Sequence, residues 1–169
     1  MNTRIELLAK FIINTAPIYN SKETNARQKA LMEKIVGAGL FYLPSGIEYY
    51  NGNISQAALD ALKTNNKTKL VKEHLFPRKI TGKLCYTEHL NSIQEDLAEF
   101  EKLYCEKFGR WNYVLESENK KLIKYSKNHN FIDAQTSYLK SGIELVEMDI
   151  AEINSKRAEG SADIIVDEY

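Results

Sequence analysis

Between residues 87 and 109 the chain carries Leu90, Ile93, Leu97, Phe100 and Tyr104 three and four residues apart, the interval that puts side chains on one face of an α-helix. Such a stripe has to be covered along its length, so the fold must supply further helices or a sheet for it to rest on. The pattern predicts one helix from near Thr87, closed by Gly109.

Other segments provide those partners. Thr3-Arg4-Ile5-Glu6 has capping-box spacing, and Ile5, Leu8 and Ile12 follow at helical intervals, which predicts a first helix to about Ala16 that stops at Pro17. Ser21 is the cap expected for a second helix carrying Ala30, Leu31, Ile35 and Val36, ended by Gly37 and Gly39. Leu40 to Asn53 mixes aromatics with Pro44, Gly46 and Gly52 and reads as a loop or irregular hairpin. Ser55 then caps a short helix, and Thr64 to Thr68 reads as an exposed turn. Trp111 to Leu115 has the aromatic and β-branched character of a strand, and Ser117 is the cap expected for the helix after it. A short helix over Asp133 to Lys140 ends at Gly142, with Ile143 to Val146 as a further strand.

Composition narrows the class. With 169 residues, 43% apolar and 27% charged, the chain has the length of one domain and needs no metal or disulfide staple to bury a core. No run approaches the ~20 apolar residues that cross a bilayer. The opening Thr3, Arg4 and Glu6 lie inside an amphipathic pattern rather than a signal peptide, and Cys85 and Cys105, without metal-ligand spacing, are expected as reduced thiols in the cytoplasm. No membrane partner is expected.

The net charge of zero is unevenly spread. From Glu144 onward, Glu144, Glu147, Asp149, Glu152, Glu159, Asp163, Asp167 and Glu168 face only Lys156 and Arg157. Between residues 67 and 83 lie Lys67, Lys69, Lys72, Arg78, Lys79 and Lys83 against the single Glu73, a local excess able to meet phosphates or simply to form a solvated face. Within that stretch, Glu73-His74-Leu75-Phe76-Pro77 sets a carboxylate beside an imidazole just before a proline. Phosphodiester hydrolysis needs a base to activate water and a cation to offset charge on the phosphate. His74 is the candidate base, Glu73 a hard oxygen ligand of the kind Mg²⁺ prefers, and the lysines and Arg78 the candidate phosphate contacts. Neighbouring residues on a regular strand face opposite ways, so both could serve one site only where the strand is ending, which Pro77 would allow.

The Glu73-His74-x-x-Pro77 segment resembles the Asp/Glu-His-x-x-Pro element that ends the first strand of HNH, or His-Me finger, nucleases. Trp111 to Leu115, followed by Ser117-Glu118-Asn119-x-x-Leu122, resembles their second strand and finger helix, and Tyr138 to Leu145 resembles the tail of compact phage-type members. The resemblance covers roughly Leu70 to Val146, with the helix of residues 87–109 as an insertion. It implies His74 as general base, Glu73 and Asn119 as ligands of Mg²⁺ or Mn²⁺, and DNA as the partner. The usual final His of the finger helix and the zinc-binding cysteine pairs of many members are not found in this chain.

The fold expected is therefore α+β and predominantly α-helical, with helices around a small ββα-like element. A single globular domain is expected over residues 1–148, divided into a helical part (1–66) and a ββα-metal-like part (67–148), followed by an acidic C-terminal tail (149–169). Two functions stand side by side: a metal-dependent endonuclease acting on DNA in a phage or defence setting, and a non-catalytic protein-binding or inhibitor protein, such as a phage anti-defence factor, that uses its helical surface or acidic tail.

Overall fold

The computed structural model describes residues 2–64, 69–128 and 131–159. The fold is α+β and predominantly helical, with one small mixed sheet. In chain order the elements are α1 (Thr3–Asn20), α2 (Ala26–Gly39), β1 (Tyr50–Ser55), α3 (Gln56–Lys63), β2 (Leu70–His74), α4 (Arg78–Thr87), α5 (Leu90–Glu95) and α6 (Leu97–Leu103). A π-helical turn (Tyr104–Phe108) follows, then β3 (Trp111–Leu115), α7 (Glu116–Asn128), α8 (Ala134–Lys140), β4 (Leu145–Glu147) and α9 (Ile150–Glu159). No helix among the described residues is long and apolar enough to cross a membrane. Where the sequence divides the chain at residue 66, the structure forms two compact units that interleave: residues up to Ser45 with Phe76–Gly109, and Gly46–Leu75 with Arg110 onward.

The first unit is all helical. Asn2, not Thr3, caps α1 by accepting from the Arg4 amide, and the helix runs through Pro17 to Asn20 instead of stopping there. So late in the helix the proline forfeits a single backbone bond. The last turn is held by Tyr19, which stacks on Tyr86 at 4.3 Å and donates to Glu33 at 2.9 Å. Burial, then Glu33, push the Tyr19 phenol up to about 12. Asn25 caps α2 in a reciprocal box with Gln28, so Ser21 instead ends α1. Gly37 and Gly39 do not terminate α2 through a left-handed turn. Gly37 and Gly82 let α2 and α4 approach, because a Cβ on Gly82 would stand 2.1 Å from the Glu33 carbonyl oxygen and one on Gly37 2.8 Å from that of Arg78.

The helix expected over residues 87–109 is broken. Asp96 is extended (φ −146°, ψ 118°) and uses its carboxylate to cap α6 at the Ala98 amide, splitting the segment into α5, α6 and the π-helical turn. The apolar stripe is nonetheless inward: Leu90, Ile93, Phe100 and Tyr104 are buried, while Leu97 at the break is half-buried. Tyr104 donates to the Pro44 carbonyl at 2.7 Å.

The second unit is built on a sheet of order β2-β3-β1-β4, with β2 antiparallel to β3, β3 parallel to β1, and β1 antiparallel to β4. β1 falls in the segment read from sequence as a loop. Gly52, at φ +81°, lies where the β1–β3 register shifts, so the turn-like composition marks an irregular strand. On one face Val114, Leu122, Tyr138 and Ile143 form a buried cluster flanked by Val71 and Leu75. Tyr50, Trp111 and Tyr113 pack together, the Trp111 and Tyr113 rings 4.9 Å apart. Strand alternation puts Trp111 and Tyr113 on the face opposite Val114.

Ser55 caps α3 and α8 closes at Gly142 (φ +68°), both where the sequence placed them, while Asp133, read as the first residue of α8, is its cap. Ser117 does not cap the helix after β3 but lies inside it, since α7 already begins at Glu116. The segment assigned to the acidic tail starts with α9, whose Ile153 is fully buried, so at least this part belongs to the core. Residues 160–169, most of the Thr64–Thr68 turn and Lys67 lie outside the described residues.

Candidate functional site

The antiparallel pair β2–β3 followed by α7 is a ββα unit, completed within the second unit although residues 76–109 leave it between the strands. The register pairs Leu70 with Leu115, Glu73 with Asn112 and His74 with Trp111. Glu73 and His74 therefore stand at the end of β2 away from the start of α7. The ladder does not fray there: the Leu75 amide donates to the Arg110 carbonyl at 3.0 Å. Alternation consequently holds through the pair and directs Glu73 and His74 to opposite faces.

Glu73 shares its face with Val71 and with its partner Asn112. Burial first, and then the nearby Glu73 carboxylate, raise the Tyr138 phenol well above its ordinary range. His74 shares the other face with Lys72, whose ammonium lies 4.9 Å from the Trp111 ring centroid. Strand alternation thus works against the single Glu73–His74 site that the proline had allowed.

α7 is anchored by a buried carboxylate. Glu118, 7% exposed, accepts through one oxygen from the Ser55 hydroxyl at 2.5 Å and from the Leu115 amide at 2.9 Å. The same Ser55 oxygen accepts from the Ala58 amide at 3.2 Å, so one hydroxyl joins the cap of α3 to the start of α7. Asn119 follows, and its Oδ1 is buried without a hydrogen-bond partner. An acceptor oxygen left in that state is chemically suited to a cation or a donor hydrogen. Among the described residues no three His, Cys, Asp or Glu side chains converge as a metal cluster. Mg²⁺ does not require such a cluster, since it is commonly held by one or two carboxylates with water filling the remaining positions. Glu73 and Asn119 are thus of the right donor chemistry, but Glu73 stands at the end of β2 away from the start of α7, in whose first turn Asn119 lies.

The basic residues divide between the units. Lys69 and Lys72 belong to the second, and Arg78, Lys79 and Lys83 to the first, on α4. Arg78 lies over the Phe41 ring at 4.1 Å, while Lys79 and Lys83 are exposed.

Sequence reasoning missed Asn112 and Tyr138. Asn112 is 1% exposed, its amide nitrogen donates to the Tyr138 hydroxyl at 3.4 Å, and its Oδ1 has no partner. Both line a pocket of about 400 Å³ in the second unit, together with Asn51, Asn53 and Gln135. The sequence offered a weak signal, since asparagine in Trp-Asn-Tyr-Val-Leu is a residue that strands disfavour, but a solvent-facing position would explain it equally and only the structure shows it buried. Comparison with known proteins finds no matching family model, no matching curated protein and no matching solved structure.

Proposed function

We propose that the chain is a metal-dependent endonuclease-like protein acting on DNA phosphodiester bonds, with a phage or defence setting as the resemblance implies. The reading is carried by one observation: β2 and β3 pair antiparallel and lead into α7, with Glu73 and His74 at the end of the first strand and Asn119 in the helix. In this assignment His74 takes the proton from the attacking water, and Glu73 and Asn119 hold Mg²⁺ or Mn²⁺. The metal would offset charge building on the phosphate. Lys67, Lys69, Lys72, Arg78, Lys79 and Lys83 are the candidate backbone contacts, each releasing counterions on binding DNA. Incubation of the purified chain with supercoiled plasmid and Mg²⁺ or Mn²⁺, with and without chelator, tests it. Nicking that needs the metal is expected; an intact plasmid with both metals contradicts it.

A second reading has its own observation. The continuous ladder at Glu73, His74 and Leu75 turns base and carboxylate to opposite faces, as in a ββα scaffold kept for binding rather than hydrolysis. On that reading the chain is a non-catalytic partner-binding or inhibitor protein. Retrieval of a stable protein partner together with an uncut plasmid favours it over the nuclease.

A further inference from the structure

Five large apolar side chains of the first unit stand well out in solvent: Leu7, Ile18, Leu31, Ile35 and Tyr42, between 45% and 71% exposed. All five lie on α1, on α2 or in the 3₁₀ turn (Leu40–Tyr42) that directly follows α2. On α1, Leu7 and Ile18 align with Phe11, and on α2, Leu31 and Ile35 align with Ala38, so each helix carries one apolar ridge along its outer side. The helices run antiparallel: Arg4 donates to the Tyr42 carbonyl at 3.3 Å near one end, and Tyr19 donates to Glu33 at 2.9 Å toward the other. Ile5, Ile12 and Ala16 turn α1 toward the core, and Val36 and Gly37 do the same for α2, Gly37 against α4. Both ridges therefore point away from the core on the same side of the hairpin and make one face. Charged side chains border that face rather than cross it, with Lys10 paired to Glu6 beyond the α1 ridge and Arg27 and Lys34 beyond the α2 ridge.

At these exposures the five side chains present roughly 500 Å² of apolar surface, toward the upper end of what a monomer leaves in water. A stable interface takes about 800 Å² from each partner, and in homodimers about 65% of it is apolar, which is again about 500 Å². A face without charges at its centre is also compatible with itself, since a two-fold axis sets ridge against ridge and opposes no like charges there. Two helical hairpins closed in this way make four helices around one apolar seam. We propose that this face docks a second copy of the chain, giving a two-fold dimer through α1 and α2 of both. The inference concerns the first unit and goes beyond both readings of the second.

The test is sedimentation equilibrium of the full chain over concentrations up to about 1 mM, with wild type expected to dimerise reversibly. Leu31→Glu should raise the dissociation constant at least about 100-fold, because each dimer would bury two unpaired carboxylates. Gln94→Glu, an equal change at an exposed position of α5, should leave it unaltered. Should Leu31→Glu fail to fold, Leu7→Glu, at the other ridge, should weaken the dimer in the same way. In a mixture of ¹³C-labelled and unlabelled wild-type chains, nuclear Overhauser contacts between copies should fall on the methyl groups of Leu7, Ile18, Leu31 and Ile35. A monomer throughout the concentration range would overturn the proposal. So would a dimer that neither ridge variant weakens, which would place the contact elsewhere, or a monomer whose face is taken by a different protein.

Discussion

Replacing Glu118 tests how α7, and with it Asn119, is held to the sheet. One carboxylate oxygen accepts from both Ser55 and Leu115, at 2.5 and 2.9 Å, inside a side chain 7% exposed. Hydrogen bonds to a charged group contribute about 1.5–3 kcal/mol each, so Glu118→Ala, which orphans both donors, should cost about 3–6 kcal/mol. For a chain of this size that corresponds to a fall in melting midpoint of very roughly 6–20 °C. Glu118→Gln keeps an oxygen that can accept both bonds and loses only the charge, so its cost should be about half as large. Ser55→Ala removes the α3 cap as well as one bond to Glu118, and in a double-mutant cycle the two sites should couple. Trp111 is the single tryptophan and sits in the second unit, so its fluorescence during urea unfolding reports on that unit. A Glu118→Ala midpoint equal to wild type, or Glu118→Gln as damaging as Glu118→Ala, would refute the reasoning.

Further outcomes follow from the first unit. Gly82→Ala should destabilise by about 1–2 kcal/mol, because backbone overlap with Glu33 at 2.1 Å outweighs the ~1 kcal/mol that alanine gains in a helix; a raised melting midpoint would show the α2–α4 contact to be loose. Ile93→Ala, at a fully buried position, should cost about 2–5 kcal/mol, and Leu97→Ala distinctly less; equal losses in calorimetry would contradict the break at Asp96. His89 packs edge-on to Phe108, its Nε2 has no partner, and burial, then Lys107, lower its pKa. The neutral form is thus favoured in the folded chain, and its contribution is complete above about pH 6.5 and lost as pH falls through the lowered folded value. The midpoint of wild type should drop between pH 7.5 and 5.5 by more than that of His89→Gln, and parallel profiles would sink the assignment.

Local chemistry was legible where one residue decides the outcome. Ser55 caps the helix expected of it, Gly142 closes α8 with positive φ, and β3 follows from its aromatic and β-branched run. What escaped were decisions made by tertiary contact. Pro17 reads as a stop, yet Tyr19 stacking on Tyr86 carries α1 past it. Gly37 reads as a terminator but serves as a clearance for α4. The stripe from Leu90 to Tyr104 gave the buried face correctly while hiding the break at Asp96, because two shorter helices can present the same side chains inward. β1 was hidden by Gly52 and two asparagines, whose turn-like character belongs to a strand with an irregular register. At the site, the motif located Glu73 and His74 at the end of a strand, but only the ladder through Leu75 reveals which way each side chain is directed.

The nuclease account rests on His74, and the rate at which a His74→Ala variant nicks plasmid DNA in Mn²⁺ tests it most directly. Loss of a general base should lower the rate by about 100- to 10,000-fold, with the circular dichroism spectrum unchanged. Wild-type nicking by a correctly folded His74→Ala chain would contradict the account.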